Sequence, residues 1–74
     1  MEISDVLIHI DESISNERRF KLEETLRDVQ GIVSPRFSKQ EHLMFVTYDS
    51  DSTSASTILT QIRDQGYASQ IVGI

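Results

Sequence analysis

Apolar residues first gather at Val6, Leu7, Ile8 and Ile10, a run bounded by Ser4-Asp5 and Asp11-Glu12 and broken only by His9. Its β-branched content and short length predict a strand over residues 6–10, and its near-continuous apolar character predicts a central place in a sheet. The period then changes. Leu22, Leu26 and Val29 recur at spacings of four and three, Phe20 widens the stripe, and Glu17, Arg18, Lys21, Glu24, Arg27 and Asp28 occupy the remaining surface. This pattern predicts an amphipathic helix over residues 16–30. Ser15 or Asn16 suits its N-cap, Glu17 stands where the helix dipole favours an anion, and Gly31 suits the C′ position.

A second strand is predicted over residues 32–37, on a sheet edge because Pro35 has no N–H to donate to a ladder. Residues 38–42 form a polar hairpin loop. Leu43-Met44-Phe45-Val46-Thr47-Tyr48, aromatic and β-branched, is the clearest strand of the chain. Residues 49–57 are rich in Ser, Thr and Asp, whose side chains bond free N–H groups at turns and helix starts. Ile58, Leu59 and Ile62 then mark a second helix closed by Gly66, and residues 68–72 a last short strand. The order β-α-β-β-α-β predicts an α+β, ferredoxin-like sandwich. Right-handed crossovers place both helices on one face of a four-stranded antiparallel sheet of order 4-1-3-2. No shift in composition marks a linker, so residues 1–74 are expected to form one domain.

Composition narrows the function. Seven Lys and Arg against twelve Asp and Glu give a formal charge of −5 over 74 residues. Net acidity argues against nucleic acid, since phosphate binding needs a basic face. No apolar run approaches the ~20 residues that span a bilayer, and Met1-Glu2 lacks the basic start of a signal peptide, so a cytoplasmic protein without a membrane partner is expected. The chain has no cysteine. Disulfides, thiolate catalysis and every cysteine-based metal site are therefore excluded.

From Leu22 onward the residues resemble the heavy-metal-associated domain family of small copper chaperones and metal-transporting ATPases. Leu22-Glu23 with Leu26 is similar to the family's first-helix signature, and Gly31-Ile32 falls at the spacing of its Gly-Val pair. Val46-Thr47-Tyr48-Asp49, and Ile62 with Gly66-Tyr67, resemble the ends of its third strand and second helix. The resemblance implies the ferredoxin-like fold and a copper-chaperone-like ancestry. It also implies a Gly-Met-Thr-Cys-x-x-Cys segment between the first strand and first helix. Here Glu12, Ser13 and Ile14 stand where Gly, Met and Thr would be, and Ser15 and Arg18 occupy the two cysteine positions. A hydroxyl is a poor ligand for soft Cu(I), and a guanidinium opposes cation entry. The thiolate metal site is absent.

Two further side-chain clusters bear on function. His9, Asp11, Glu41 and His42 belong to segments that the topology brings to one end of the domain, and imidazole with carboxylate suits Zn, Ni or Cu(II). No His-x-His or His-x₃-His spacing ties them together, and the plainer reading makes His9 an open-face strand residue and His42 a hairpin residue. Arg18, Arg19 and Lys21 form a basic cluster that reads most simply as intrahelical pairing on a solvated face. Catalytic motifs are missing: there is no Gly-x-Ser-x-Gly, Ser-x-x-Lys or glycine-rich phosphate loop. No enzyme activity and no cofactor are expected.

Alternation supplies the remaining expectation. Val6, Ile8, Ile10, Met44, Val46 and Tyr48 share the helix-facing parity, which leaves Leu7, His9, Leu43, Phe45 and Thr47 on the opposite face. Leu7, Leu43 and Phe45 then form an apolar patch that nothing in so short a chain covers. The expected role is a non-catalytic interaction module that binds a protein partner, or itself, through this face. Metal binding or trafficking through His and carboxylate ligands is the alternative.

Overall fold

A computed structural model describes residues 1–38 and 42–73. Its elements run β1 (Ile3–Ile10), α1 (Asn16–Arg27), β2 (Ile32–Phe37), β3 (Leu43–Asp49), α2 (Ala55–Asp64) and β4 (Ser69–Gly73). The strands form one sheet in the order β2-β3-β1-β4, with every neighbouring pair antiparallel. This is the expected ferredoxin-like arrangement.

Strand alternation decides what is buried. Val6, Ile8 and Ile10 of β1 and Met44, Val46 and Tyr48 of β3 face the helices and are buried. Against them pack Leu22 and Leu26 of α1, Ile58 and Ile62 of α2, and Ile14 and Tyr67 from the connections. Truncating a fully buried core leucine such as Leu26 costs roughly 2–5 kcal/mol, because the cavity it leaves collapses only in part. Both helices are capped as their sequences suggest: the Ser15 hydroxyl accepts the Arg18 N–H, and the Ser54 hydroxyl accepts the Thr57 N–H.

The β2 edge is closed by α1 and by its own chemistry. Pro35 is buried and offers no N–H, while the Phe37 N–H donates to Glu23 Oε2 at 3.0 Å. At the other edge, Arg63 of α2 donates through Nε and Nη2 to the Ser69 carbonyl at 3.2 and 2.9 Å. Among the described residues no helix is long and apolar enough to cross a membrane.

The fold departs from the sequence expectation at several ends. β1 starts at Ile3 rather than Val6, because Ile3 pairs with Asp49 and the Ser50 N–H donates to the Glu2 carbonyl. α1 stops at Arg27 rather than residue 30, since Val29 N–H turns back to the Leu26 carbonyl and Ile32 N–H to that of Val29. β4 occupies 69–73 rather than 68–72. Phe20 does not widen the core stripe; it is 59% exposed. Two positions from Leu22 is about 200° around a helix, so the two cannot share a face. Of the expected loop 38–42, only Ser38 and His42 fall within the described residues.

Candidate functional site

The β1–α1 connection is where the family resemblance places two cysteines. Ser15 is here the N-cap of α1, its hydroxyl occupied by the Arg18 N–H. The Arg18 side chain lies against Tyr67, with its guanidinium carbon 5.0 Å from the ring centroid. A helix cap and a cation stacked on an aromatic fill the position. Neither group offers a soft donor.

Beside this connection the two histidines come together. The rings of His9 and His42 stack with centroids 5.7 Å apart and planes 28° apart. His9 Nδ1 lies 2.7 Å from Asp11 Oδ1, and His42 Nδ1 lies 3.0 Å from both the Ile10 and Glu12 carbonyl oxygens. A carbonyl oxygen and a carboxylate oxygen accept, so these contacts place an N–H at Nδ1 of each ring. His42 is also held from its backbone: at φ 71° it adopts the left-handed conformation, and its carbonyl accepts the Ile10 N–H at 2.7 Å. The pairing of His9 and His42 across strands was not visible in their spacing. Glu41, the remaining member of the expected set, lies outside the described residues. Among the described residues no group of three or more His, Asp or Glu is arranged to hold a metal.

In the basic cluster Arg18 and Lys21 are exposed, as a solvated face requires, but Arg18 and Arg19 lie against aromatic rings and take no part in the ion pairs among the described residues. Arg18 stacks on Tyr67 and Arg19 on Phe37, 5.5 Å from its centroid, while the ion pair along α1 joins Arg27 to Glu23 at 3.8 Å. Aromatic partners from the α2–β4 turn and from β2, distant in sequence, hold these cations.

The sheet face away from the helices carries Leu7, His9, Leu43, Phe45 and Thr47. Leu7 pairs directly with Phe45, and Leu43 with His9. Phe45 is 39% exposed, and Leu7 and Leu43 are half-buried by their neighbours. A shallow groove of about 450 Å³ crosses this face, lined by Asp5, Val6, Leu7, Arg36, Phe45 and Gly73. Its polar margin is a relay between strands. Thr47 Oγ1 donates to Asp5 Oδ1, and Arg36 Nη1 donates to Thr47 Oγ1 at 3.4 Å and to Ser34 Oγ at 3.3 Å. The Arg36 guanidinium also approaches the Phe45 ring, 6.0 Å from its centroid. Asp5 and Arg36 were missed from sequence. Parity put Asp5 on the face of Leu7, but Arg36 needed the β2–β3 register, which a bulge between Ile32 and Ser34 shifts.

Neither a family model nor a curated protein matches the chain. Solved structures do share its fold. Oxidized MerP from Ralstonia metallidurans CH34 is 17% identical with a TM-score of 0.83, covering 95% of this chain and 97% of that one. The yeast copper transporter domain Ccc2a is 22% identical with a TM-score of 0.82, covering 93% and 94%. The N-terminal domain of a potential copper-translocating P-type ATPase from Bacillus subtilis is 15% identical with a TM-score of 0.86, covering 97% and 90%. The fold is that of heavy-metal-associated domains, and the cysteine pair of the family motif is absent from this chain.

Proposed function

We propose that this chain is a non-catalytic, single-domain interaction module built on the heavy-metal-associated fold, acting through its open sheet face instead of a thiolate metal site. One observation carries the reading. Leu7, Leu43 and Phe45 form an apolar surface on the two central strands, while the connection that would hold soft metal is filled by a helix cap and a stacked arginine. An apolar patch at the centre of an uncovered sheet is a surface for another protein. Neighbours of this fold are described as metallochaperones or copper-binding domains, which supports descent from a metal-handling ancestor. Placing a photo-crosslinking aromatic residue at position 45 tests the reading, with position 20 on the exposed face of α1 as control. Adducts of defined mass from position 45 and not from 20 are expected. Adducts from 20 alone, or from neither, contradict it.

A second reading, metal binding at His9 and His42, is favoured by their ring geometry. Metal-ligating histidines commonly donate one ring N–H to a carboxylate or carbonyl and bind through the other nitrogen. His9 and His42 both make that Nδ1 contact. Two imidazoles require further ligands, from Glu41 or from solvent, to complete a Zn or Ni site.

A further inference from the structure

We infer that the occupant of the open sheet face is a second copy of this chain, docked about a twofold axis that sets Arg36 of each protomer against the partner's Asp5. The inference rests on the open face being the docking surface and specifies what docks there. Arg36 lies opposite Phe45 on one side of β3, and Asp5 lies opposite Thr47 on the other. Neither charge takes part in the ion pairs among the described residues, which are Met1–Asp51, His9–Asp11 and Arg27–Glu23. Within one protomer Arg36 and Asp5 are linked through the Thr47 hydroxyl, and they flank one apolar groove as a cation and a carboxylate without a direct ion pair among the described residues.

Their placement is self-complementary. Strands stand ~4.8 Å apart, and successive residues of one face ~6.8 Å apart along a strand. On that grid the midpoint between Arg36 and Asp5 falls on β3, between Phe45 and Thr47. A twofold axis lying in the face through this point, perpendicular to the Arg36–Asp5 line, exchanges the two charges. The same operation carries Phe45 over the partner's Leu7, and Leu7 over the partner's Phe45. Leu43 falls over the partner's Gly73, where the lack of a side chain leaves room for it. One operation therefore satisfies two charge pairs and four apolar contacts, each in symmetric pairs as a closed twofold interface requires. The strands of the two sheets cross at about 70° on this grid, close to the orthogonal class of sheet packing.

Size sets the strength. Four strands by about six residues give a footprint of roughly 400 Å², half of the ~800 Å² per partner that stable complexes bury. Each copy also carries a net charge of −5. The dimer is weak and concentration-dependent, and its two charge pairs specify orientation more than they supply affinity.

Sedimentation equilibrium of the full chain from about 10 µM to about 1 mM tests the arrangement. The wild type is expected to dimerise within this range. Arg36→Asp and Asp5→Arg, each placing like charges face to face twice, are each expected to weaken association at least about tenfold. Mixing the two variants in equal amounts restores both pairs in a heterodimer, so the mixture is expected to associate like the wild type. Circular dichroism verifies each fold. If a reversal unfolds the chain, Arg36→Gln and Asp5→Asn replace it, with weaker association again expected. A wild type that stays monomeric overturns the inference, as does a mixture no tighter than the separate variants. If Phe45→Glu abolishes association while the charge variants leave it unchanged, the face still docks and only this arrangement fails. If none of the variants alters association, both readings fail.

Discussion

Leu7 on β1 and Phe45 on β3 are directly opposed in the antiparallel register, on the side of the sheet that neither helix covers. Their neighbours along the chain, Val6, Ile8, Met44 and Val46, are buried on the other side. A one-residue slip of either strand would exchange these sets. The register that builds the core therefore also builds the patch. Core and candidate docking surface are two faces of the same two strands, which allows one to be altered without the other.

The β1–α1 connection predicts poor copper chemistry. With Ser15 capping α1 and Arg18 stacked on Tyr67, Cu(I) affinity weaker than about millimolar is expected. Ser15→Cys/Arg18→Cys should create measurable affinity, because a helix N-terminus lowers thiol pKa and favours the thiolate ligand. Competition with a chromogenic Cu(I) chelator checks both, and a wild type that wins that competition refutes the first.

The stacked histidines make a separate prediction. If they hold Zn or Ni, metal raises the melting temperature as RT ln(1 + [L]/Kd), and His42→Ala abolishes the rise. With only two imidazoles among the described residues, no rise is expected at micromolar metal. A His42-dependent rise would put metal handling ahead of protein docking.

Asp49 predicts an acid-sensitive clamp at the opposite end of the domain. The Asp51 N–H, then the Glu2 N–H, donate to its carboxylate, and together with the Ser52 hydroxyl and the N-terminal charge they hold its pKa below the ordinary 3.8, against a smaller upward push from burial. A folded-state pKa below the unfolded one gives stability that is present above the unfolded value and lost as pH falls through the folded one. Asp49→Asn should therefore lower the melting temperature at pH 7. The difference from wild type should shrink as pH drops below 3.8, measured by thermal denaturation across the acid range. A difference independent of pH would show that the carboxylate charge contributes nothing.

Local pattern carried most of the fold. Alternation through Val6–Ile10 and Leu43–Tyr48 separated core from open face, and Pro35 located the edge strand, because each depends only on strand geometry. Gly31 does not cap α1, which ends at Arg27 with Asp28 as its C-cap; its φ of 93° serves the turn into β2, where a Cβ would lie 2.9 Å from Ser52 Cβ and Thr53 Cγ2. The site was less legible. The stacking of His9 on His42, of Arg18 on Tyr67 and of Arg19 on Phe37 joins residues far apart in sequence, and none has a spacing signature. The Arg36–Thr47–Asp5 relay runs across three strands and depends on a bulge that periodicity does not show. Phe20 stands about 200° around the helix from Leu22, so nearness in sequence to the stripe does not put it on the buried face.

The central claim, that the open sheet face is the working surface, is tested most directly by Phe45→Glu, with thermal stability and sedimentation measured on the same sample. Phe45 is 39% exposed and opposite the helix-facing core, so the variant is expected to melt within about 1 kcal/mol of wild type, as surface substitutions do, while losing association. A variant that unfolds would place Phe45 in the core, and a folded variant that associates as the wild type does would contradict the claim.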